Sequence, residues 1–583
     1  MLFLLPAATG LGAFRRGPVR WRVSMSPSIQ IPVSMRFLRF VLTVCLMGGA
    51  AVLAPSAYGQ ETARGTVYQD ANENQQKDSG EAGIAGVSVS NGRQVVQTDT
   101  EGQYTLPVRD GDAIFVTKPA GYRVPVDAHN RPQFYYLHDP DGTPDSLDLK
   151  FPGVEPTGPL PEAVNFPLHP SEKQESFTAL AFADPQAGSH EELRFVRDDV
   201  IDELTGADAA FGITVGDVVA DDLSLYPRHL RNVGAIGIPW WRVPGNHDMN
   251  YEVASDEYAT ETYKRYFGPT NYSFTYGDVH FIALDNVQYK GKGERYTYSG
   301  KYRGYLKENQ LEWIREDLAS VSTEKRVVIA THIPLRTYAV GDTTESWLPG
   351  TDNLGALLDV LEEYRVYSIS GHDTSNSWHV YLDEEHGWTG PGTFHHHVLA
   401  EVRGGSWKGP RDDRDIPAAT MEDGTPNGYY SLHFEGTDYE AQFQAAGRPA
   451  DRQRRVTVHQ PAGDQQQAHA GQWAPPTLCV NVFDGGPKTT VQYRIGDRDP
   501  VVMERTIQKD PFMERLYQRV EGTEAAVSAP EPSSHLWTAP LPDDLAPGAH
   551  TVTVTSRNEF GRADTTASVI EVQEPPSAHE EPQ

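Results

Sequence analysis

Val243-Pro-Gly-Asn-His-Asp248 is the stretch on which the reading of this chain turns. It follows the apolar run Trp240-Trp-Arg-Val and sets three chemistries side by side. Asn246 offers a neutral amide oxygen to a metal ion. His247 offers a proton or a hydrogen bond, and Asp248 a carboxylate of the kind that fixes a neighbouring imidazole in one tautomer. Fragments of the same construction stand on both sides: Ala183-Asp-Pro-Gln186 and Val215-Gly-Asp217 upstream, Ala330-Thr-His-Ile-Pro334 and Ser370-Gly-His372 downstream. Each opens a loop after an apolar run. Taken singly, each has a plain structural explanation. Asp184 would serve as a helix N-cap before Glu191-Glu-Leu-Arg-Phe-Val196, Asn246 as a turn residue, and His332 as a hydrogen-bonded core histidine. Their joint occurrence in this order argues for a shared site.

The region around them, residues 172–400, alternates strand-like and helix-like segments. Strands are expected at Phe177–Phe182, Ala210–Val215, Trp240–Val243, His280–Leu284, Arg326–Ala330 and Val366–Ile369, and helices at Gln310–Ser320 and Leu354–Tyr364. The fragments therefore fall at the carboxyl ends of strands, where layered α/β folds build their sites.

This ordered set resembles the calcineurin-like metallophosphoesterases, whose pattern is D-x-H, G-D, G-N-H-D/E, H and G-H-x-H. The resemblance covers roughly residues 175–385 and implies a four-layer α/β/β/α sandwich. It also implies two divalent cations, of Mn, Mg, Fe or Zn, and hydrolysis of phosphomonoesters or phosphodiesters by a metal-activated water. By the same resemblance, Asp217 bridges the ions. Asn246, His332 and His372 complete one site, while Asp184 and Gln186 begin the other. His247 assists the leaving oxygen with Asp248 behind it.

Two positions depart from the pattern. Gln186 replaces a histidine, and Gly371-His-Asp-Thr374 lacks the second histidine of G-H-x-H. Asp373, Thr374, water, His379 or one of His395–His397 is available to make up that loss, a site so composed suiting the harder ions Mn²⁺ and Mg²⁺, or else the Asp184 site stays empty. The alternative reading is a degenerate relative serving as a cell-surface binding or scaffold protein.

The remaining sequence gives the setting. A chain of 583 residues is too long for one core. Its net charge of −30 and pI of about 5.0 argue against nonspecific nucleic-acid binding. Met35-Arg-Phe-Leu-Arg39, the apolar Phe40–Leu53 and Ala57-Tyr-Gly59 read as a signal peptide within a leader of residues 1–59. Export to the periplasm, cell surface or medium is expected, with no membrane span in the mature chain. Cys45 lies in that leader, and Cys479 alone remains, so an intrachain disulfide is excluded from the mature chain.

Residues 60–165 show short alternating runs split by Asn-Gly and Glu-Gly turns, a β-sandwich pattern. Within them Asp70, Asn72, Asn74, Gln76, Asp78 and Glu81 occupy positions 1, 3, 5, 7, 9 and 12 of a calcium-loop spacing, with Gln75 where glycine is usual. A solvated polar turn is the alternative. Phe394-His-His-His397 and Val402-Arg-Gly-Gly-Ser-Trp407 resemble the linker into the C-terminal module of secreted members of the family. His396 and Trp407 are expected on a wall of the active-site cleft, or else in a glycine-rich interdomain loop. Residues 401–575 return to a β pattern, and 576–583 form an acidic tail. The expected whole is thus a central α/β/β/α sandwich flanked by all-β sandwich domains, acting on a phosphorylated small molecule or a cell-envelope polymer.

Overall fold

The computed structural model describes residues 61–291, 302–337, 350–449, 452–459, 476–523 and 525–572. The expected leader and tail lie outside them. Among the described residues, no helix is long and apolar enough to cross a membrane.

Strand formation in the central region follows from uninterrupted apolar runs. β1 (Ser176–Phe182), β2 (Phe211–Val215) and β3 (Trp240–Val243) are parallel in the order β3-β2-β1, and β2 and β3 are buried along their whole length. Parallel strands covered on both faces need such runs rather than alternation. A second sheet contains β4 (Tyr272–Tyr276), β5 (Val279–Ala283), β6 (Arg326–Ala330), β7 (Arg365–Ser370), β8 (Trp378–Leu382) and β9 (Phe394–Val398), ordered β4-β5-β6-β7-β9-β8. Here β5, β6, β7 and β9 are parallel, and the edge strands β4 and β8 are antiparallel to their neighbours.

The two sheets meet through aromatic side chains. Phe211 lies 5.2 Å from Phe281 and 5.4 Å from Phe274 between ring centroids, both near perpendicular. Truncating such a buried ring costs about 3–5 kcal/mol. Helices α1 (His190–Val196) and α2 (Tyr226–Gly234) bury Leu193, Phe195, Leu230 and Val233 in one cluster with Leu180, Phe182 and Trp240 of the first sheet. Ser189 rather than Asp184 caps α1, its hydroxyl accepting from Glu192 N at 3.1 Å. Helix α3 (Glu261–Phe267) follows β3. Helices α4 (Glu308–Leu318) and α5 (Leu354–Leu361) bury Leu311, Ile314, Leu357 and Leu361 in a cluster with the second sheet.

The first sheet does not end at residue 400. β10 (Gly428–Glu435) pairs antiparallel with β1, and β11 (Asp438–Ala445) pairs with β10. Sequence periodicity assigned both to a separate C-terminal domain, because alternation reports a half-buried strand and not its partner.

Residues 61–170 form two four-stranded sheets. Trp313 Nε1 donates to Ser90 Oγ at 3.0 Å and Lys118 Nζ to Thr275 O at 2.6 Å, seating them against the central region. Among the described residues beyond 452, two further four-stranded sheets are accompanied by the helix α6 (Pro511–Val520), which the β pattern did not foretell.

Candidate metal centre

Every central motif lies just beyond the carboxyl end of a strand: Asp184 and Gln186 after β1, Asp217 after β2, Asn246 after β3, His332 after β6 and His372 after β7. Two sheets thus deliver their strand ends to one point. Asp184, Gln186, Asp217 and His372 have φ of 47°, 34°, 49° and 72°. This left-handed region costs a non-glycine residue about 1–2 kcal/mol, and such strain gathers where function fixes the backbone.

The motif glycines have a steric cause. A Cβ on Gly216 would lie 2.3 Å from His332 Nδ1, on Gly245 2.1 Å from Asp217 Oδ1, and on Gly371 2.2 Å from Asp184 Oδ2. Each glycine is the floor on which another loop's donor side chain rests.

His332 Nδ1 donates to Val215 O at 2.9 Å, which directs Nε2 inward. That nitrogen lies 3.0 Å from Asn246 Oδ1, 3.2 Å from Asp217 Oδ1 and 3.2 Å from His372 Nδ1. Asp217, His332 and His372 each offer a donor atom within 4.8 Å of the others, and all three are buried. Gln186 Nε2 donates to Asp217 Oδ2 at 3.0 Å. His372 N donates to Asp184 Oδ2 at 2.9 Å. Asp184 Oδ1, Gln186 Oε1 and His372 Nε2 are buried with no hydrogen-bond partner among the described residues. Orphaned buried donor atoms are costly, and this mixture of carboxylate, amide and imidazole fits divalent cations.

Charge in the metal-free protein is set by burial and mutual repulsion. Burial and the charge of Asp217 push Asp184 up to about 7, against the pull of His332. Burial opposes a charge on His332, but the carboxylates of Asp217 and Asp184 outweigh it and hold its pKa at about 9. Burial and the His332 charge bring His372 down to about 3, keeping it neutral.

His247 stands beside this cluster, its Nε2 3.9 Å from Asp217 Oδ2 and its backbone N donating to Asp217 Oδ1 at 2.8 Å. The expected partnership with Asp248 is absent. His247 Nδ1 meets Asp221 Oδ1 at 2.7 Å instead. Asp248 is turned inward by the 3-10 turn Asn246–Asp248, where it accepts from Val218 N at 3.1 Å, Gly245 N at 2.8 Å and Tyr226 Oη at 2.9 Å. It clamps the Asp217 loop to the Asn246 loop. Chain adjacency suggested a contact that the turn forbids.

Asp373 and the histidines expected near the vacant position are engaged elsewhere. The Asp373 carboxylate accepts from Thr337 Oγ1, Trp378 Nε1, Ser375 N and Asn376 N, which fastens its own loop. His379, His395 and His397 form a separate buried cluster. His379 Nδ1 meets His395 Nε2 at 3.0 Å, and Asp484 lies 3.4 Å from His379 Nε2 and 3.0 Å from His397 Nε2. His396 points to the other side of β9, between Ser368 Oγ at 2.7 Å and Leu335 N at 3.1 Å. Trp407 packs on Phe195 at 5.6 Å and is buried. Both side chains expected on the cleft wall are therefore core residues.

The Trp407 loop nevertheless reaches the site through residues that sequence reasoning passed over. Glu401 is fully buried, and burial followed by the charges of Asp184 and Asp217 raises its pKa to about 8. The Arg403 charge is felt at Asp184 and His247. The strand before them, Phe394-His-His-His-Val398, is not an apolar run of the kind that precedes the other donors, so that signal was missing.

The calcium-loop residues curl together. Asp70 accepts from Asn74 N and Gln75 N, Asn72 Nδ2 and Asn74 Nδ2 both donate to Asp78 Oδ2 at 2.9 Å, and Glu81 accepts from Ala71 N and Asp78 N. Gln75 takes the left-handed φ of 61° for which glycine is usual. His169 Nε2 also lies 3.2 Å from Asp70 Oδ2.

The chain matches three family models: the N-terminal part of calcineurin-like phosphoesterase over residues 71–152, calcineurin-like phosphoesterase itself over 177–375, and its C-terminal part over 396–563. It belongs to the calcineurin-like phosphoesterases and is a metal-dependent phosphoric ester hydrolase. No curated protein sequence matches it. Among solved structures it is similar to the purple acid phosphatase PPD1 from yellow lupin (Lupinus luteus) seeds, at 12% identity and a TM-score of 0.33, covering 66% of this chain and 67% of that one.

Proposed function

We propose that the chain is an exported phosphoesterase whose centre holds two divalent ions between the Asp184–Gln186 loop and the Asn246, His332 and His372 side chains, with Asp217 shared. The observation that carries this is the meeting of Asp217, His332 and His372 donor atoms within 4.8 Å, with Asp184 Oδ1 and Gln186 Oε1 lacking hydrogen-bond partners among the described residues. Divalent ions at such a site neutralise phosphoryl charge and lower the pKa of bound water. The protein's own part is to hold this donor set and to exclude bulk solvent. His247 Nε2 faces the centre, and Asp221 on Nδ1 orients it to give a proton to the leaving oxygen. Arg403, whose Nε lies 3.6 Å from Glu401 Oε2 in the segment that bonds to the end of β1 through Val402 N, is assigned to a non-bridging phosphoryl oxygen.

We assign the central region to an α/β/β/α four-layer sandwich, supported by the two sheets and the helix clusters packed with each. The flanking regions are β-rich domains. Export rests on the basic and then apolar leader in the sequence. The substrate class is a phosphorylated small molecule or envelope polymer. Calcium at the 70–81 loop rests on the converging side chains of Asp70, Asn72, Asn74, Asp78 and Glu81, and calcium titration of the full chain by calorimetry tests it. For the central reading, hydrolysis of aryl phosphate monoesters and bis-aryl diesters by the metal-stripped and metal-restored chain is the test. Activity that returns with added ion supports it, and full activity in stripped protein contradicts it.

A further inference from the structure

A second group of metal-ligating side chains stands where the C-terminal region meets the second sheet. His379 on β8 pairs directly with His397 on β9, and Tyr381 with His395. Strand alternation puts the three imidazoles on one face, with ring centroids 4.0, 5.1 and 5.5 Å apart. One ring nitrogen of each lies within 4.8 Å of those of the other two. The far nitrogens are held from outside. His395 Nδ1 donates to Tyr439 Oη at 2.6 Å, His397 Nδ1 to Tyr367 Oη at 3.1 Å, and His379 Nε2 to Asp484 O at 2.9 Å. Ligating imidazoles are supported in this way. The support turns His379 Nδ1 and His395 Nε2 towards each other at 3.0 Å, and Glu559 Oε1 stands 3.3 Å from the same His379 nitrogen. Such separations match the edge of a zinc tetrahedron, about 3.3 Å for bonds of ~2.0–2.1 Å.

The backbone around the group is built for it. Asp484 takes the left-handed φ of 61°, and its carboxylate lies 3.0 Å from His397 Nε2. A Cβ on Gly486 would lie 2.8 Å from His379 Cγ, so the turn after Asp484 needs glycine to seat that ring. A cavity of about 80 Å³, lined in part by His379, Asp484 and Glu559, gives an ion a way in. In the metal-free chain protons fill the gap between these groups, and the pH-dependent stability of His379 belongs to that form. Stacked imidazoles share protons poorly, because a charge on one opposes a charge on the next. One divalent cation satisfies the three nitrogens together, and the Glu559 and Asp484 carboxylates balance its charge. We propose that His379, His395, His397 and Glu559 hold one zinc ion, with Asp484 fixing His379 from behind, and that this ion fastens the C-terminal region to β8 and β9. Three imidazoles and a carboxylate closing four positions make a structural zinc set. The inference does not depend on the two-ion reading of the metal centre.

Reconstitution of the metal-stripped full chain tests it, with Zn²⁺ counted per chain by equilibrium dialysis and Co²⁺ followed by its visible absorption. His395→Gln is expected to bind one zinc ion fewer than the unaltered chain and to lack the absorption of a four-coordinate, nitrogen-rich Co²⁺. Its hydrolysis of aryl phosphate with Mn²⁺ is expected to persist, since His395 stands outside the metal centre. Tyr439→Phe, which removes the hydroxyl held by His395 Nδ1, is expected to keep that ion but weaken it by about tenfold or more. Glu559→Gln, which keeps the shape and removes the charge, is expected to weaken the same ion and serves if His395→Gln does not fold. Zinc bound in equal number and with equal affinity in His395→Gln, Glu559→Gln and the unaltered chain overturns the proposal and leaves the metal centre untouched. An unaltered chain that takes up no zinc beyond what Asp217→Asn removes overturns it as well. A chain that hydrolyses without metal, yet takes up one zinc ion that His395→Gln loses, supports the proposal and overturns the two-ion reading alone.

Discussion

His247 Nδ1 and Asp221 Oδ1 are 2.7 Å apart, in a contact that joins the loops following β3 and β2. Asp221 has the left-handed φ of 61°, so its backbone is held to present this carboxylate. Burial works against a charge on His247, but Asp217 and the Asp221 hydrogen bond outweigh it and raise its pKa above the ordinary imidazole value. A raised pKa keeps the proton on His247 near neutrality, as a general acid requires.

His247→Ala is expected to retain metal and lose about 10²–10⁴ in rate, with a smaller loss for good leaving groups. Asp221→Asn is expected to lower the alkaline limb of the pH–rate profile and to lose far less. The double variant should lose little more than His247→Ala, since Asp221 acts through His247. Kinetics with aryl phosphates of graded leaving-group pKa check this, and loss of metal on His247→Ala contradicts it.

Arg403→Ala is expected to lower kcat/KM on the order of a hundredfold, with metal content unchanged, if its guanidinium meets phosphoryl oxygen. Inhibition by inorganic phosphate should weaken in parallel. An unchanged phosphate inhibition constant contradicts the role.

Ion preference follows from the donor atoms. Gln186 and Thr374 stand where the family pattern has imidazoles, so nitrogen is replaced by oxygen. Metal-stripped protein is expected to recover hydrolysis with Mn²⁺ or Mg²⁺ more fully than with Zn²⁺. Two tightly held zinc ions in purified protein contradict this.

The His379 cluster ties the second sheet to Asp484 and Glu559 of the C-terminal region. Burial opposes charge on His379, but the carboxylates outweigh it and raise its pKa to about 10. The folded pKa exceeds the unfolded one, so this stabilisation is complete below about pH 6.5 and is lost as pH rises towards 10. Thermal unfolding is expected to fall in temperature across pH 6.5–10, and His379→Gln should flatten that slope. An unaltered slope in the variant contradicts the assignment.

Much of the centre was legible because each donor follows an apolar strand that can be read locally: Asp184 after Phe177–Phe182, Asp217 after Phe211–Val215, and His332 after Arg326–Ala330. Contacts between loops were not legible in the same way. Asp248 adjoins His247 in sequence, yet a 3-10 turn sends its carboxylate to Val218 and Gly245, while Asp221 arrives from another loop. The His395–His397 triplet drew notice as one feature, but strand alternation splits it, with His395 and His397 towards His379 and His396 towards Ser368. Strands β10 and β11 had a clear alternating pattern, and only long-range pairing assigned them to the central sheet.

Asp217 is the point on which the account rests, since it lies between His332, Gln186 and the His247 backbone. The most direct measurement is hydrolysis of an aryl phosphate by Asp217→Asn, with ions per chain counted on the same sample. The expected result is a folded protein with fewer bound ions and kcat lower by about a thousandfold or more. Hydrolysis at the rate of the unaltered chain would contradict the shared-carboxylate metal centre.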